Sequence, residues 1–279
     1  MADHSIKLAT LSAFLVLFIL LLQSHIAISQ EVGSLIAADK MEFSYQKGSE
    51  LGPEHWGNIH KEWAACGQGQ MQSPVDLSDD RVEILPLLGF LRRSYRPAAT
   101  VLKNRGHDIM LRFEGNAGSV RIDGSEYALK QLHWHSPSEH TINGRRFHME
   151  LHMVHQTADN RTAVVGILYT LGRSEPFLAK MERYIDMIKD KHEAEEEVGL
   201  VDPREIKRGS RKYYRYMGSL TTPPCTEGVV WTIINKVRTV SREQVRRLRQ
   251  AVHDPMNARP IQEINNRGIG LFRPRRKEN

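Results

Sequence analysis

Hydrophobic and polar positions alternate with a period of two along several short segments of the chain. In a strand, this period places apolar side chains on one face and polar side chains on the other. Six segments are therefore predicted to be strands: 108–113, 119–122, 127–135, 150–156, 163–169 and 229–235. Clusters of Asn, Gly, Asp and Pro separate them, and no internal repeat divides the chain. The pattern predicts a mainly β fold in a single domain.

Two segments show the period of an α-helix instead. Residues 175–197 are predicted to be helical because four apolar side chains share one stripe: Phe177, Met181, Ile185 and Ile188. Ser241 followed by Gln244 has the pattern of a capping box ahead of a second apolar stripe. We expect these helices to be peripheral to the strands.

Residues 1–29 have the pattern of a secretory signal peptide, with a lysine ahead of an apolar run at 11–22. The small residues Ala27 and Ser29 suit the positions before the cleavage site. The apolar run is short for a membrane span, and an N-terminal anchor is the alternative. We expect cleavage after Ser29, which leaves residues 30–279 as the mature domain without a membrane span.

Composition and charge exclude some partners. The formal net charge is +6 and the pI is near 9.3, with arginine concentrated at 246–249 and 273–277. These clusters are predicted to be a solvated helix face and a charged tail, since no nucleic-acid-reading motif accompanies them. A nucleic-acid partner is not expected, whereas an anionic surface partner stays open.

The two cysteines of the chain, Cys66 and Cys225, are predicted to form a disulfide, because the signal pattern directs the chain to an oxidising compartment. Two buried free thiols are the alternative. Entry into the secretory pathway also makes Asn160, in Asn160-Arg161-Thr162, a candidate glycosylation site. With two cysteines, a structural zinc site made of thiolates is excluded.

Three histidines on two predicted strands are candidates for a metal site. His133 and His135 fall on one face of the strand at 127–135. His152, on the strand at 150–156, completes a set of three nitrogen ligands if the two strands are neighbours. Three neutral imidazoles with an open fourth position are typical of catalytic zinc. A polar strand face without metal is the alternative.

Two polar residues precede candidate ligands on the same strand faces. Gln131 stands two positions before His133, and Glu150 stands two positions before His152. Such residues orient an imidazole ligand through its second ring nitrogen. His155 lies on the opposite face of its strand and is predicted to be a core histidine.

Several motifs, in order along the chain, resemble those of the alpha-class carbonic anhydrases. The motifs that carry or flank the candidate site are Gln131 to His135, Ser138 to Thr141, Glu150 to His155, and Gly218 to Glu227. Further matches lie at 52–56, 72–77, 104–107 and 257–260. The resemblance covers the chain from Phe43 to Arg267.

The resemblance implies a large twisted, mostly antiparallel central sheet with a few peripheral helices and zinc at the base of a conical cavity. It implies a zinc lyase of one-carbon metabolism, carbonate dehydratase, in which zinc-bound hydroxide hydrates carbon dioxide reversibly to bicarbonate and a proton. Residues 30–279 would be the catalytic domain.

The resemblance also assigns roles to matching residues. The implied zinc ligands are His133, His135 and His152, oriented by the side chains of Gln131 and Glu150 and by the backbone carbonyl of Asn257. The implied catalytic residues are His107 as proton shuttle and the pair Thr221 and Glu139. The implied pocket residues are Val154, Val164, Leu220 and Thr222, with Tyr45 in the water network. Cys66 and Cys225 match a disulfide of extracellular members.

Three positions depart from the family pattern. Phe43 replaces a usual tryptophan, and Met110 replaces a polar residue of the pocket wall. Arg105 replaces an asparagine beside His107, and its charge is expected to disfavour a protonated shuttle by repulsion. Slower turnover than in the fastest relatives is therefore predicted.

Two other functions are alternatives to the enzyme. A catalytically weak or inactive carbonic-anhydrase-like storage or binding protein is disfavoured because the three histidines and the Thr221 and Glu139 pair are intact. A zinc peptidase is disfavoured because a helical His-Glu-x-x-His is absent. The motif at 259–262 resembles plant-type members, so the expected location is the apoplast or, through the secretory route, the chloroplast.

Overall fold

A computed structural model describes residues 42–274, and β-strands form most of its regular structure. The strands are β1 (Val82–Ile84), β2 (Arg92–Arg93), β3 (Ala98–Asn104), β4 (Ile109–Phe113), β5 (Ser119–Ile122), β6 (Ser125–His135), β7 (Thr141–Ile142), β8 (Arg145–Arg146), β9 (Met149–Gln156), β10 (Thr162–Leu171), β11 (Glu195–Val201), β12 (Tyr213–Ser219), β13 (Glu227–Val240) and β14 (Ile269–Phe272). The α-helices are α1 (Trp56–Ile59), α2 (Ala65–Gln68), α3 (Pro176–Ile188) and α4 (Arg242–Gln250). Short 3₁₀ helices lie at Lys61–Trp63, Asp79–Arg81, Pro86–Leu88 and Pro203–Glu205. The predicted signal peptide lies outside the described residues.

Twelve strands form one mixed sheet in the order β1-β14-β12-β13-β10-β9-β6-β4-β3-β11, with β5 and β2 on a branch from β6. Within residues 42–274, the parallel pairs of this sheet are β1 with β14 and β10 with β13. The remaining pairs are antiparallel, and β7 with β8 forms a separate ribbon. The predicted mainly β fold with a large, mostly antiparallel sheet is confirmed.

The six predicted strands all occur, as β4, β5, β6, β9, β10 and β13, with differences at their ends. The two that carry the candidate ligands, β6 and β9, are direct neighbours in the middle of the sheet. Sequence alternation therefore identified the central strands correctly.

The predicted helix at 175–197 is too long. Its apolar stripe is buried as expected, but α3 ends at Ile188. Asp190 and Glu193 have positive φ angles, which an α-helix excludes. Residues Glu195–Val201 form β11, which pairs with β3 at one edge of the sheet. Pairing with an open sheet edge therefore overrides the helical propensity of this acidic segment.

The second predicted helix is confirmed as α4. The Ser241 hydroxyl accepts a hydrogen bond from the Gln244 backbone at 3.1 Å, and the Gln244 side chain accepts one from the Ser241 backbone at 3.2 Å. The box satisfies donors at the start of the helix that have no intrahelical partner. Among residues 42–274, no helix is long and apolar enough to cross a membrane.

The predicted disulfide between Cys66 and Cys225 is present, with an S–S distance of 2.06 Å. It links α2 to the loop between β12 and β13, and 159 positions separate its cysteines. The backbone carbonyl of Cys66 accepts a hydrogen bond from buried Arg259 at 2.8 Å. The disulfide therefore anchors α2 to the loop within the Gly218 to Glu227 motif.

The side chains of β6 and β9 lie in two different environments. On one face, Leu132 and Trp134 of β6 and Leu151 and Met153 of β9 lie in the main hydrophobic core with the apolar stripe of α3. The intervening positions carry the candidate ligands on the opposite face. Packing of the apolar face therefore fixes the register that brings the histidines together.

His155 is a core histidine, as predicted. Its Nδ1 donates to the Ala163 carbonyl at 3.3 Å, and its Nε2 lies 2.7 Å from the Tyr95 hydroxyl. The ring is buried, and this burial lowers the pKa of His155 to about 4. A neutral ring satisfies both contacts, so the folded protein holds His155 uncharged near neutral pH.

We expect His155 to make the protein less stable as the pH falls. Its folded pKa lies below the unfolded value of about 6.5, so the unfolded chain binds the extra proton between these two values. From about pH 7 to pH 5, the linkage relation gives a loss of about 2 kcal/mol. Urea unfolding of wild type and His155→Gln measures this contribution, because glutamine can make both contacts without titrating. Equal pH slopes for the two proteins would show that His155 does not contribute.

Candidate metal centre

The three candidate ligands converge on one point of the sheet. His133 of β6 lies directly opposite His152 of β9, and His135 lies opposite Glu150. One ring nitrogen of each histidine lies within 4.8 Å of the others, and all three residues are buried. The condition set by the sequence, that the two strands be neighbours, is met.

The remaining nitrogen of each ring is held by a different acceptor. His133 Nδ1 donates to Gln131 Oε1 at 2.8 Å, and His152 Nε2 donates to Glu150 Oε1 at 2.9 Å. His135 Nδ1 donates to the backbone carbonyl of Asn257 at 2.6 Å. These contacts fix the tautomers. The nitrogens left unprotonated, which can bind a metal ion, are His133 Nε2, His135 Nε2 and His152 Nδ1.

The spacing of these three nitrogens fits tetrahedral coordination of a zinc ion. His133 Nε2 and His152 Nδ1 are 3.3 Å apart, and His135 Nε2 is buried without a hydrogen-bond partner within the described chain. A tetrahedron with Zn–N bonds of about 2.0–2.1 Å has edges of about 3.3 Å. Burial lowers the pKa of both His133 and His152, which favours the neutral rings that bind metal.

Glu150 is the centre of a buried hydrogen-bond network next to the three histidines. Its Oε2 accepts from the backbone amides of Glu139 and His140, and its Oε1 accepts from the His140 and His152 rings, all at 2.8–2.9 Å. Burial alone raises the pKa of Glu150, but its contacts with His140 and His152 hold the pKa well below its usual value. A Cβ at Gly166 would lie 2.9 Å from this carboxylate, so glycine leaves room for it.

The network continues away from the metal site through residues that sequence reasoning did not assign. His140 Nε2 lies 2.6 Å from the Tyr216 hydroxyl, which lies 2.9 Å from Ser73 Oγ. Because Glu150 accepts from His140 Nδ1, Tyr216 donates to Nε2. His140, Glu150 and His152 also cluster closely enough for a metal, but these hydrogen bonds already account for their arrangement.

Glu139 lies at the same site, next to His135, and Glu139 and Thr221 are both buried. Glu139 Oε1 accepts from the Arg259 backbone amide at 2.9 Å. Its Oε2 has no hydrogen-bond partner among residues 42–274 and lies 3.5 Å from His135 Nε2. The structure thus directs a carboxylate oxygen toward the histidines, while a Thr221–Glu139 hydrogen bond is not formed within the described chain.

Three of the predicted pocket residues lie in or against a second hydrophobic cluster, which includes buried Leu168 and Trp231 and lies on the histidine side of the sheet. Val164 is buried there, opposite Val154 on β9, and Leu220 packs against the same cluster. Thr222 accepts a backbone hydrogen bond from Cys225 at 2.8 Å. Tyr45 belongs to a third cluster around the disulfide, where burial raises the pKa of its phenol well above the usual value.

His107, the predicted proton shuttle, has two neighbours that the motif did not indicate. Its Nδ1 lies 2.8 Å from Asp254 Oδ2. Its ring stacks on Phe43, with ring centroids 3.9 Å apart and an angle of 20° between the planes. Because a carboxylate only accepts hydrogen bonds, Nδ1 carries the proton and Nε2 is the free nitrogen of a neutral ring.

Arg105 does not stand beside His107 as an unpaired cation. Its guanidinium makes a bidentate ion pair with Asp108, with Nε 2.7 Å from Oδ1. Burial raises the pKa of Asp108, but the charge and hydrogen bonds of Arg105 outweigh it and lower that pKa overall. The repulsion expected from the sequence is therefore offset by a neighbouring negative charge.

Known proteins match most of the described chain. The family model of the eukaryotic-type carbonic anhydrases matches residues 51–272. Alpha carbonic anhydrase 7 of Arabidopsis thaliana is 57% identical over 238 residues, which cover 85% of this chain and 86% of that protein. The matched segment includes all three histidines.

Two solved structures share the fold. The crystal structure of dioscorin complexed with ascorbate has a TM-score of 0.82 and 47% identity, covering 85% of this chain and 100% of the other. The alpha-carbonic anhydrase of Thermovibrio ammonificans, in complex with the inhibitor sulfanilamide, has a TM-score of 0.76 and 34% identity, covering 82% and 98%.

Proposed function

Because the chain belongs to the eukaryotic-type carbonic anhydrase family, we propose that it is a zinc enzyme that reversibly hydrates carbon dioxide. One observation carries this proposal: three imidazole nitrogens converge on one point while the second nitrogen of each ring is held by Gln131, Glu150 or the Asn257 carbonyl. Three neutral nitrogens leave a fourth position open for reaction.

The residues around the ligands have distinct tasks in this proposal. Zinc, held by His133, His135 and His152, would supply a Lewis acid that makes a water molecule nucleophilic near neutral pH; carbonic anhydrase is the standard example of this effect. Glu139 provides a fixed negative acceptor, and Thr221 provides the hydroxyl that orients the reacting oxygen. The apolar side chains of Val154, Val164 and Leu220 provide a surface for carbon dioxide.

A carbon dioxide hydration assay with and without an inhibitor tests this proposal. We expect the zinc-loaded protein to hydrate carbon dioxide in a stopped-flow assay, and sulfanilamide, the ligand of the Thermovibrio relative, to suppress this activity. Inhibition would indicate that the reaction takes place at a site that recognises the same inhibitor as the relative's. Zinc-loaded protein without hydration activity would contradict the proposal.

His107 and Asp254 form the proposed path for the proton that each hydration cycle releases. Asp254 holds the proton of the His107 ring on Nδ1, which leaves Nε2 free to accept another. Stacking on Phe43 restricts the ring to this orientation. We infer that Asp254 is a positioning residue and that His107 is the proton carrier.

Substitution Asp254→Asn should lower kcat by about tenfold and leave kcat/KM for carbon dioxide nearly unchanged. An asparagine amide can donate to His107 Nδ1, and this favours the tautomer in which Nε2 already carries a proton. Stopped-flow kinetics at low and high imidazole concentrations measures the effect, since a free imidazole should restore kcat. An equal loss in kcat and kcat/KM would instead indicate damage to the hydration site.

Binding without efficient catalysis is a second candidate function. The structural similarity to dioscorin, solved with ascorbate, supports it. In this alternative, ascorbate binds to the protein and carbon dioxide hydration is weak or absent. Ascorbate titration followed by calorimetry, together with the hydration assay on the same sample, separates the two functions.

We further propose that the protein enters the secretory pathway, with the apoplast or the chloroplast as its destination. The signal pattern in residues 1–29 supports the route, and the disulfide suits an oxidising compartment. Asn160 is exposed in the turn between β9 and β10, as a glycosylation acceptor must be. A mass increase that a glycosidase reverses, and that Asn160→Gln removes, tests this modification.

A further inference from the structure

A small cavity with a basic lining lies outside the metal centre. Its volume is about 350 Å³, and Phe90, Leu91, Arg208 and Arg211 line it. Phe90 is 56% exposed and packs edge-on against Phe272. The cavity therefore combines an accessible aromatic surface with two guanidinium groups.

Neither guanidinium has an acidic partner in the chain that the structure describes. Arg211 lies over the Phe90 ring, 5.4 Å from its centroid, and within residues 42–274 it makes no ion pair. Arg208 makes neither a side-chain hydrogen bond nor an ion pair in that range. By contrast, Arg204, four residues before Arg208, binds Asp202 through two nitrogens. The two cavity arginines therefore retain their hydrogen-bonding capacity for a ligand.

A third arginine, Arg93, lies near the cavity. Burial and the nearby charge of Arg93 lower the pKa of Arg208 to about 10. Arg93 repels Arg208 electrostatically, and a bound anion would reduce this repulsion.

We propose that this cavity binds a small organic anion that carries an aromatic ring, such as an aryl phosphate or an aryl carboxylate. The oxyanion lies between Arg208 and Arg211, because the guanidinium fork matches phosphate and carboxylate geometry. The ring packs against Phe90 and Leu91. The volume is within the range of small-molecule sites, and none of the three metal-site histidines lines the cavity.

Titration of phenyl phosphate into the zinc-loaded protein, followed by calorimetry, tests this site. We expect binding that weakens by about tenfold or more in Arg208→Gln and in Arg211→Gln, since each loses a charged hydrogen bond. Phe90→Ala should weaken phenyl phosphate binding but leave inorganic phosphate binding unchanged. Arg242→Gln, an exposed arginine at the start of α4, is the charge-matched control and should bind like wild type.

Three results would overturn the proposal. Binding that survives both cavity substitutions but is lost in His133→Ala would place the anion at the metal centre. Equal affinity for inorganic and phenyl phosphate in wild type would indicate nonspecific charge attraction. Binding of polygalacturonate that depends on Arg208, without binding of phenyl phosphate, would indicate a surface for a polyanion. If Arg208→Gln does not fold, Arg211→Gln provides the same test, because Arg211 is exposed.

Discussion

Replacing His133 with alanine should abolish zinc retention and lower carbon dioxide hydration by about 10³-fold or more. Two imidazoles would remain, and the set of three nitrogens that leaves one open position would be incomplete. His133 is the most suitable ligand to remove, because its second nitrogen contacts only the Gln131 side chain, which is partly exposed and can bind water instead. Zinc content and stopped-flow hydration measure the two effects.

The matched control for this substitution is His148→Ala. His148 is an exposed histidine near the same strands, and its ring contacts Thr170 Oγ1 at 3.4 Å. It should retain zinc and full activity. A thermal unfolding curve for each variant separates loss of chemistry from loss of fold. If His133→Ala kept both stoichiometric zinc and activity, His133 would not be a metal ligand.

Removing the disulfide should have the largest effect on stability. The double substitution Cys66→Ser and Cys225→Ser opens a loop with a sequence separation of 159. In the loop-entropy model, such a loop restricts the unfolded chain by about 5 kcal/mol. That loss is comparable with the entire unfolding free energy of many domains, about 5–15 kcal/mol. Urea unfolding of the oxidised protein and the double variant measures the difference.

Reduced wild-type protein is the control for the disulfide prediction. It should unfold at the same urea concentration as the double variant, because both lack the covalent link but keep nearly the same side chains. A loss below about 1 kcal/mol would mean that the unfolded chain is already restricted in other ways.

Sequence reasoning succeeded where the necessary information is local. The alternation in β6 and β9 predicted which side chains share a face, and the structure places Gln131 and Glu150 on the imidazoles as expected. Positions two apart on one strand face are close in space whatever the remaining chain does. The third orienting group, the Asn257 carbonyl, came from the family resemblance, since no periodicity relates it to His135.

The features that the sequence did not reveal depend on distant contacts. His107 and Asp254 are 147 positions apart, and His140 and Tyr216 are 76 positions apart. The helix prediction at 175–197 failed because pairing of β11 with β3 decides the structure of its acidic end. Strand propensity depends on such neighbours more than helix propensity does.

The most direct test of the metal centre is zinc removal and return in the wild-type protein. The purified chain should contain about one zinc ion, lose hydration activity when a chelator removes it, and regain that activity in proportion to added zinc. A chain that binds no zinc, or one that binds it at the three histidines and still fails to hydrate carbon dioxide, would contradict the proposed enzyme.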